Sequence, residues 1–243
     1  MVEQRIPNPR VEGSNPSGVA CGCSSVGLEL QVSALGVVGS SPTSREGDKM
    51  KYLSIIVLLL LLSCQRQSLL IVGDSITADG GYTKYLKEQL PDTRIDVRAK
   101  PGASILWIHA QVEHYAYNYD RVVVLGGINS ILTPDIVIRY LGKTYQVSHS
   151  RGMQVIAVTL TPWKNYSTWN EEQQHYTETV NDFIKSKPEG VKAVADVYMP
   201  LSDQNKLKEE YSLDGLHLNE AGQEVIGRTI YAQIAQLDSA AAF

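Results

Sequence analysis

Short apolar segments alternate with longer segments of helical periodicity from residue 68 to residue 237. The apolar segments predict strands at residues 68–73, 94–98, 121–127, 153–160 and 191–197. The segments that follow them predict helices at residues 82–90, 104–115, 133–150, 170–187 and 219–237, with Thr133 as the cap of the third helix. This alternation is typical of a parallel sheet with helices on both faces. The chain is therefore predicted to be an α/β protein: a flavodoxin-like three-layer α/β/α sandwich with a five-stranded parallel sheet of order 2-1-3-4-5.

The first 49 residues have a different composition from this region. They contain no aromatic residue and are rich in Gly, Pro and Ser, which predicts disorder because little apolar surface is available to bury. Residues 5–16 resemble the conceptual translation of a bacterial tRNA gene. Residues 1–49 are thus predicted to be a mis-annotated leader, with Met50 as the true start. The alternative is a genuine disordered extension.

Residues 50–64 have the pattern of a lipoprotein-type signal peptide. A basic Met50-Lys51 pair precedes an apolar run that is too short to span a membrane. The run ends in Leu-Leu-Ser-Cys at Cys64, which resembles the bacterial lipobox, in which the cysteine is diacylated. We predict a domain of residues 65–243 that Cys64 tethers to the bacterial cell envelope, on its periplasmic or outer surface. The alternative is a buried apolar segment with an incidental cysteine.

Charge and cysteine content exclude several functions for the 243-residue chain. Its formal net charge of −4 provides no basic surface for nucleic acid. Of its three cysteines, Cys21 and Cys23 lie in the leader without a second pair, so neither a disulfide framework nor a zinc site is predicted. Flavin or nucleotide binding would suit the strand order, but the glycine-rich phosphate loops are missing. No cofactor or metal is predicted.

Two polar motifs lie where a parallel sheet would present them at one edge. Ser75 ends a Gly-Asp-Ser motif directly after the first strand, and Asp214 and His217 form an Asp-x-x-His motif near the end of the chain. A serine hydroxyl needs a base to become a nucleophile, and histidine has a suitable pKa. A carboxylate close by can orient the imidazole. Two alternatives remain: Ser75 as an ordinary helix cap, and His217 as an exposed residue of a polar loop.

Acyl transfer also needs donors for the oxyanion of the tetrahedral intermediate. The backbone N–H groups of Ser75 and Gly102 and the side-chain amide of Asn129 all follow predicted strands. Gly and Asn are common in turns, so each donor is a weak indication by itself.

In chain order, the Gly-Asp-Ser motif, a later Gly, a Gly-x-Asn motif and the final Asp-x-x-His motif resemble the SGNH hydrolase family, also called GDSL esterases/lipases. The resemblance implies that Ser75 is the nucleophile, that His217 is the base and that Asp214 orients His217. It further implies an oxyanion hole formed by Ser75, Gly102 and Asn129.

The sequence departs from the family pattern in the second and third motifs. Ser130 replaces the Asp that usually follows Gly-x-Asn, and the Lys-Pro-Gly-Ala context of Gly102 is atypical. We expect the Ser130 change to tune its loop without loss of activity. The Gly-x-Ser-x-Gly elbow is not present at Ser75, which argues against an α/β-hydrolase fold.

Substrate contacts are predicted at Asp74, beside the nucleophile, and at Trp163 and Tyr166 in the aromatic loop of residues 161–169. The alternative for the aromatic residues is packing against the sheet. The polar segment of residues 199–213 is predicted to be a solvated rim. Because no long apolar lid is visible, a triglyceride lipase is not favoured.

The leading functional prediction is a serine ester hydrolase that acts through an acyl-enzyme on a small or carbohydrate-linked carboxyl ester, as a deacetylase or esterase does. Alternatives at the same site are an O-acyltransferase and a lysophospholipase or thioesterase. A non-catalytic binding protein on the same fold is a further alternative, disfavoured because the four polar residues Ser75, Asn129, Asp214 and His217 occur together.

Overall fold

The computed structural model describes residues 67–241. The predictions for the leader of residues 1–49, for the signal peptide of residues 50–64 and for Cys64 lie outside these residues. Within the described range, no helix combines the length and the hydropathy that a membrane crossing requires.

A five-stranded parallel sheet of order β2-β1-β3-β4-β5 forms the centre of the fold, which confirms the predicted strand order. The strands are β1 (Ser68–Gly73), β2 (Arg94–Ala99), β3 (Arg121–Leu125), β4 (Gln154–Val158) and β5 (Val191–Ala195). In register, Gly73 of β1 lies beside Ala99 of β2 and Leu125 of β3. Because these three strands end at the same level, the loops that follow them emerge side by side.

Helices cover both faces of the sheet. They are α1 (Ser75–Ala78), α2 (Gly81–Gln89), α3 (Ile105–Tyr115), α4 (Pro134–Ser150), α5 (Glu171–Lys185), α6 (Tyr198–Leu201) and α7 (Glu220–Ala241). Successive strand residues point to opposite faces, so Leu70 packs in one apolar core and Leu69 in the other. The first core includes residues of α3, α4 and α5, and the second includes residues of α2 and α7. The result is the predicted three-layer α/β/α sandwich.

Two local predictions hold only in part. Thr133 occupies the predicted N-cap position of α4, but its side chain accepts no capping hydrogen bond, and its hydroxyl donates to the carbonyl oxygen of Ser130. The predicted solvated rim of residues 199–213 is mostly exposed, but it contains most of α6 and a small antiparallel hairpin of β6 (Ser202–Asp203) and β7 (Lys206–Leu207). Within this polar segment Leu207 is fully buried and belongs to the second core.

Candidate active site

A nucleophile turn, defined as residues 73–80, places Ser75 at the carboxyl edge of the sheet. Ser75 is the first residue of α1 and is partly exposed. Asp74 caps this helix, since one oxygen of its carboxyl group accepts a hydrogen bond of 3.2 Å from the N–H of Ile76. Only glycine fits at residue 73: a Cβ there would lie 1.9 Å from Thr77 Oγ1 and 2.6 Å from the carbonyl oxygen of Leu125.

A base loop, defined as residues 212–219, carries the other two candidate residues. Asp214 Oδ1 accepts hydrogen bonds from the backbone N–H of Leu216 at 3.0 Å and of His217 at 2.7 Å. Its second oxygen, Oδ2, lies 2.8 Å from His217 Nδ1. Ser212 Oγ accepts a further hydrogen bond of 2.8 Å from the N–H of Gly215. One carboxylate therefore holds both the backbone and the imidazole of the base loop.

The fold brings Ser75 and His217 together although 142 residues separate them: His217 Nε2 lies 3.2 Å from Ser75 Oγ. Because the ionised carboxylate of Asp214 can only accept, Nδ1 of the imidazole donates to it and Nε2 of the neutral ring is left as an acceptor. This arrangement allows Nε2 to take the proton of the Ser75 hydroxyl, as nucleophilic catalysis by serine requires.

The pKa values of the two nearby aspartates shift in opposite directions. Desolvation acts to raise the pKa of Asp214, but hydrogen bonds from the side chain and backbone of His217 and from Leu216 N–H outweigh it and lower the pKa. Asp214 therefore stays ionised and acceptor-only at neutral pH. Asp74 has its pKa raised to about 7, because desolvation by burial outweighs its backbone hydrogen bonds and the attraction of His217.

The base loop rests on the aromatic loop at Gly215. This residue has a φ of +91°, and a Cβ there would lie 2.6 Å from the backbone carbon and oxygen of Asn165. The Asn165 side chain in turn forms two hydrogen bonds of 3.1 Å with the backbone N–H and carbonyl oxygen of Leu207. The backbone that supports Gly215 is thus fixed to the β6–β7 hairpin.

The two loops predicted to supply oxyanion donors are tied to each other. Asn129 lies in a 3₁₀ turn of residues Ile128–Ser130, and its Nδ2 donates to the carbonyl oxygen of Ala103 at 3.2 Å. This bond uses one amide hydrogen and leaves the second for a substrate. Ser130 Oγ accepts a hydrogen bond of 3.1 Å from the N–H of Ile105, at the start of α3. The serine that departs from the family pattern therefore stabilises this edge.

Asn129 and Gly102 are both exposed on the catalytic edge of the sheet. No atom lies within 4 Å of the position that a Cβ would occupy at Gly102. The position beside the Gly102 Cα is therefore open.

Two of the predicted substrate contacts need correction. Trp163 is only 4% exposed and belongs to the first core, where its Nε1 donates to Thr177 Oγ1 at 3.0 Å. Asp74 is only 1% exposed and caps α1. Neither side chain is available to a substrate. Tyr166 is partly buried against the first core, and its contact with a substrate stays a prediction.

Sequence reasoning missed two residues that support the base loop. Ser212 had a local signal, because a serine at the start of a turn often accepts a hydrogen bond from a backbone N–H further along. Asn165 had none, because its partner Leu207 is 42 residues away in the chain. Among residues 67–241, no cluster of His, Cys, Asp and Glu side chains is arranged to hold a metal ion.

Comparison with known proteins agrees with this fold. The model of the GDSL-like lipase/acylhydrolase family matches residues 71–225. A GDSL-like lipase from Bacteroides thetaiotaomicron is 15% identical, with a TM-score of 0.59 over 71% of this chain and 90% of its own. A lipolytic G-D-S-L protein from Veillonella parvula is 15% identical, with a TM-score of 0.57 over 70% and 98%. An acetyl xylan esterase is 18% identical, with a TM-score of 0.55 over 68% and 98%. We find no match among curated proteins.

Proposed function

Because the chain belongs to the GDSL-like lipase/acylhydrolase family and is a hydrolase, we propose that it cleaves carboxyl esters through an acyl-enzyme on Ser75. The observation that carries the proposal is the continuous hydrogen-bonded chain from Ser75 Oγ through the His217 imidazole to the Asp214 carboxylate. A helix-capping serine would not need a base of this geometry on its hydroxyl.

In the first half of the proposed reaction, Ser75 Oγ attacks the ester carbonyl carbon while its proton passes to His217 Nε2. The tetrahedral oxyanion accepts hydrogen bonds from the N–H groups of Ser75 and Gly102 and from the amide of Asn129. Asp214 stabilises the imidazolium that forms. The carbon–oxygen bond to the alcohol then breaks, and His217 returns the proton to the departing alcohol.

In the second half, water attacks the acyl-enzyme while His217 Nε2 takes one of its protons. The second tetrahedral intermediate collapses, the bond to Ser75 Oγ breaks, and the hydroxyl regains a proton from His217. The products are one acid and one alcohol. An O-acyltransferase would follow the same steps with a second hydroxyl group in place of water.

The substrate class that we propose is a short acyl group, such as acetyl, on a bulky alcohol such as a carbohydrate. The exposure of Asn129 and Gly102 supports it, because an alcohol group bound beside these donors could extend into solvent. The fold is also that of an acetyl xylan esterase, although identity to that protein is only 18%.

A second candidate, a lysophospholipase or thioesterase, has separate support. Leu132 and Ile136 follow Asn129 closely, and Leu213 precedes Asp214, yet all three apolar side chains are exposed. Exposed apolar residues a few positions from the candidate site residues in the chain suit a longer acyl chain.

We also propose that the protein is anchored in the bacterial envelope through Cys64. The support is the lipobox-like sequence that ends four residues before β1 begins at Ser68. The six residues of β1 span roughly 20 Å and separate Ser68 from the edge that carries Ser75. An anchor at Cys64 would then direct the catalytic edge away from its own membrane, toward envelope glycans. Loss of radiolabelled palmitate incorporation in Cys64→Ala tests the anchor.

The proposed function is tested by expressing the full chain and its Ser75→Ala variant. Hydrolysis of p-nitrophenyl acetate, butyrate and octanoate and of acetylated xylan is measured for both. We expect the highest kcat/KM with acetate, release of acetate from xylan, and loss of both in Ser75→Ala. A preference for octanoate would favour the second candidate. Hydrolysis that survives in Ser75→Ala would contradict the serine mechanism.

A further inference from the structure

A buried glutamine joins the helix after the base loop to the nucleophile turn. Gln223 lies in the first turn of α7 and is only 3% exposed. Its Nε2 donates to the carbonyl oxygen of Ile76 at 2.9 Å, and its Oε1 accepts from the N–H of Tyr82 at 3.1 Å. Ile76 is the residue after Ser75, and Gln223 is six residues after His217.

Both partners of Gln223 are backbone groups at helix ends, where hydrogen bonds within the helix run out. After α1, the next backbone N–H groups bond to the carbonyl oxygens of Ser75 and Thr77. The side chain of Gln223 supplies a donor for the carbonyl of Ile76. At the start of α2, Gly80 has no side chain to cap the helix, and Gln223 supplies the acceptor for the N–H of Tyr82.

Asn219 holds the connection from His217 to Gln223 through hydrogen bonds of ordinary length. Asn219 Oδ1 accepts from the N–H of Gly222 at 3.0 Å, and its carbonyl oxygen accepts from the N–H of Gln223 at 2.9 Å. The Asn219 side chain also donates to the carbonyl oxygen of Glu210 at 2.8 Å. These hydrogen bonds constrain the backbone between His217 and Gln223.

We infer that Gln223 is a positioning residue, which sets the distance between Ser75 and His217 by fixing the nucleophile turn to the start of α7. The inference rests on the proposed serine mechanism and adds a residue outside the family motifs. Tyr82 extends the connection, because its hydroxyl lies 2.8 Å from Thr77 Oγ1 on the same turn. Small misplacements of reacting groups reduce rates strongly, up to about 100-fold for 1 Å.

Asn181 offers a matched control for a purely structural effect. It is also 3% exposed, and its side chain likewise accepts from one backbone N–H and donates to one carbonyl, both of Leu160, at 2.7 and 3.3 Å. It lies on α5, on the opposite face of the sheet from α7. Gln223→Met and Asn181→Leu each remove a buried amide and its two hydrogen bonds, and each puts an apolar side chain of similar size in its place.

The experiment compares these two variants of the full chain with the wild type. It measures the thermal midpoint, kcat and KM for p-nitrophenyl acetate, and the rate at which a fluorophosphonate labels Ser75. We expect both midpoints to fall by comparable amounts. For Gln223→Met, kcat and the labelling rate should fall roughly 10- to 100-fold with KM within twofold. Asn181→Leu should keep both rates within twofold of the wild type.

A third variant, Gln223→Glu, separates positioning from loss of a side chain. A protonated glutamic acid can donate and accept as glutamine does, whereas its ionised form can only accept. Burial favours the protonated form. We therefore expect kcat of this variant, relative to the wild type at the same pH, to rise as the pH is lowered.

Unchanged rates in Gln223→Met would overturn the inference, as would equal rate losses in Gln223→Met and Asn181→Leu. A flat ratio for Gln223→Glu across pH would also count against it. These results leave an active wild-type enzyme and so do not touch the proposed function. A wild-type Ser75 that neither hydrolyses esters nor reacts with the fluorophosphonate would instead refute the proposed function, and the inference would fall with it.

Discussion

The nucleophile turn and the base loop reach the same catalytic edge by different means. In the nucleophile turn, Gly73, Asp74, Ile76 and Thr77 are all buried, and the turn is packed between the sheet and α7. In the base loop, Leu213 and Asp214 are exposed, and backbone N–H groups of the loop donate hydrogen bonds to the side chains of Ser212 and Asp214. The position of the nucleophile therefore depends on the core, and that of the base on a local polar network.

Because of this difference, substitutions in the two regions should affect stability and activity separately. Changes at the buried residues of the nucleophile turn, Gly73, Asp74, Ile76 and Thr77, should reduce the free energy of unfolding, because these residues pack against the core. Changes at the exposed side chains of the base loop should reduce the reaction rate and leave the fold intact. The expected effects below run from the largest to the smallest.

The largest effect should come from His217→Ala in the base loop. Loss of the base leaves the Ser75 hydroxyl without an acceptor for its proton, so we expect kcat to fall by about 10⁴-fold or more. Because the side chain is partly exposed, the free energy of unfolding should change by less than about 1 kcal/mol. Ester hydrolysis and urea unfolding measure the two quantities. A large loss of stability would show that the loop is part of the core.

Gly73→Ala in the nucleophile turn should have the opposite profile. The new methyl group would overlap Thr77 Oγ1 and the fixed carbonyl oxygen of Leu125. We expect the free energy of unfolding to fall by roughly 3–5 kcal/mol, at or above the usual cost of overpacking, since backbone would have to move. Urea unfolding followed by circular dichroism measures it. A variant of wild-type stability would contradict the tight packing described for this turn.

Asn129→Ala tests a donor that belongs to neither region. Removal of one preformed oxyanion donor should lower kcat by about 10²–10³-fold. The loss of its bond to Ala103 should reduce stability by only about 1 kcal/mol, because the side chain is exposed. Steady-state kinetics with p-nitrophenyl acetate provide the measurement. A kcat within threefold of the wild type would remove Asn129 from the oxyanion hole.

Asp74→Asn tests the burial of the nucleophile turn through the pH dependence of stability. Burial raises the pKa of Asp74 from 3.8 to about 7, so the folded protein binds a proton that the unfolded chain releases between these values. The stabilisation is complete below about pH 4 and is lost as the pH rises through 7. Asparagine carries no charge, so the variant should be more stable than the wild type at pH 8, by roughly 2–4 kcal/mol, and of similar stability at pH 4.

Urea unfolding of both proteins at pH 4, 6 and 8 measures this dependence. An equal difference in unfolding free energy at all three values would mean that Asp74 does not titrate in this range.

The smallest effect should come from Trp163→Phe in the aromatic loop. The variant keeps the aromatic packing and loses the hydrogen bond from Nε1 to Thr177, which should cost about 1 kcal/mol of stability. We expect kcat/KM for acetylated xylan to stay within twofold, because the ring is buried and does not meet the substrate. A loss of activity on acetylated xylan alone would indicate that Trp163 contacts the substrate after all.

The sequence predicts most of the fold because the strand pattern is local. The bounds of β1 and α4 agree with the predicted ones, and the strand order follows from alternating strands and helices. The meeting of Ser75 with His217 did not follow from the strand pattern alone, because His217 lies well beyond the end of β5 at Ala195. The need of a serine nucleophile for a base, and the motifs shared with the family, predicted it.

The remaining features depend on contacts between distant segments, which a sequence pattern does not show. Trp163 is part of the first core, where Thr177 on α5 accepts a hydrogen bond from its indole N–H. Asp74 is buried beside the loop that follows β3, where a Cβ at Gly126 would lie 3.5 Å from Asp74 Oδ2. The bonds from Gln223 to Ile76 and Tyr82 span 147 and 141 residues. At none of these positions do the neighbouring residues in the sequence show whether the side chain supports the fold or binds the substrate.

The most direct test of the serine mechanism is the site and rate of fluorophosphonate labelling in the wild type and in His217→Ala. Peptide mass spectrometry identifies the modified residue, and a time course gives the rate. We expect one adduct, on Ser75, and labelling at least about 100-fold slower without the imidazole. Labelling of another residue, or equal rates in the two proteins, would contradict the assignment of Ser75 and His217 as nucleophile and base.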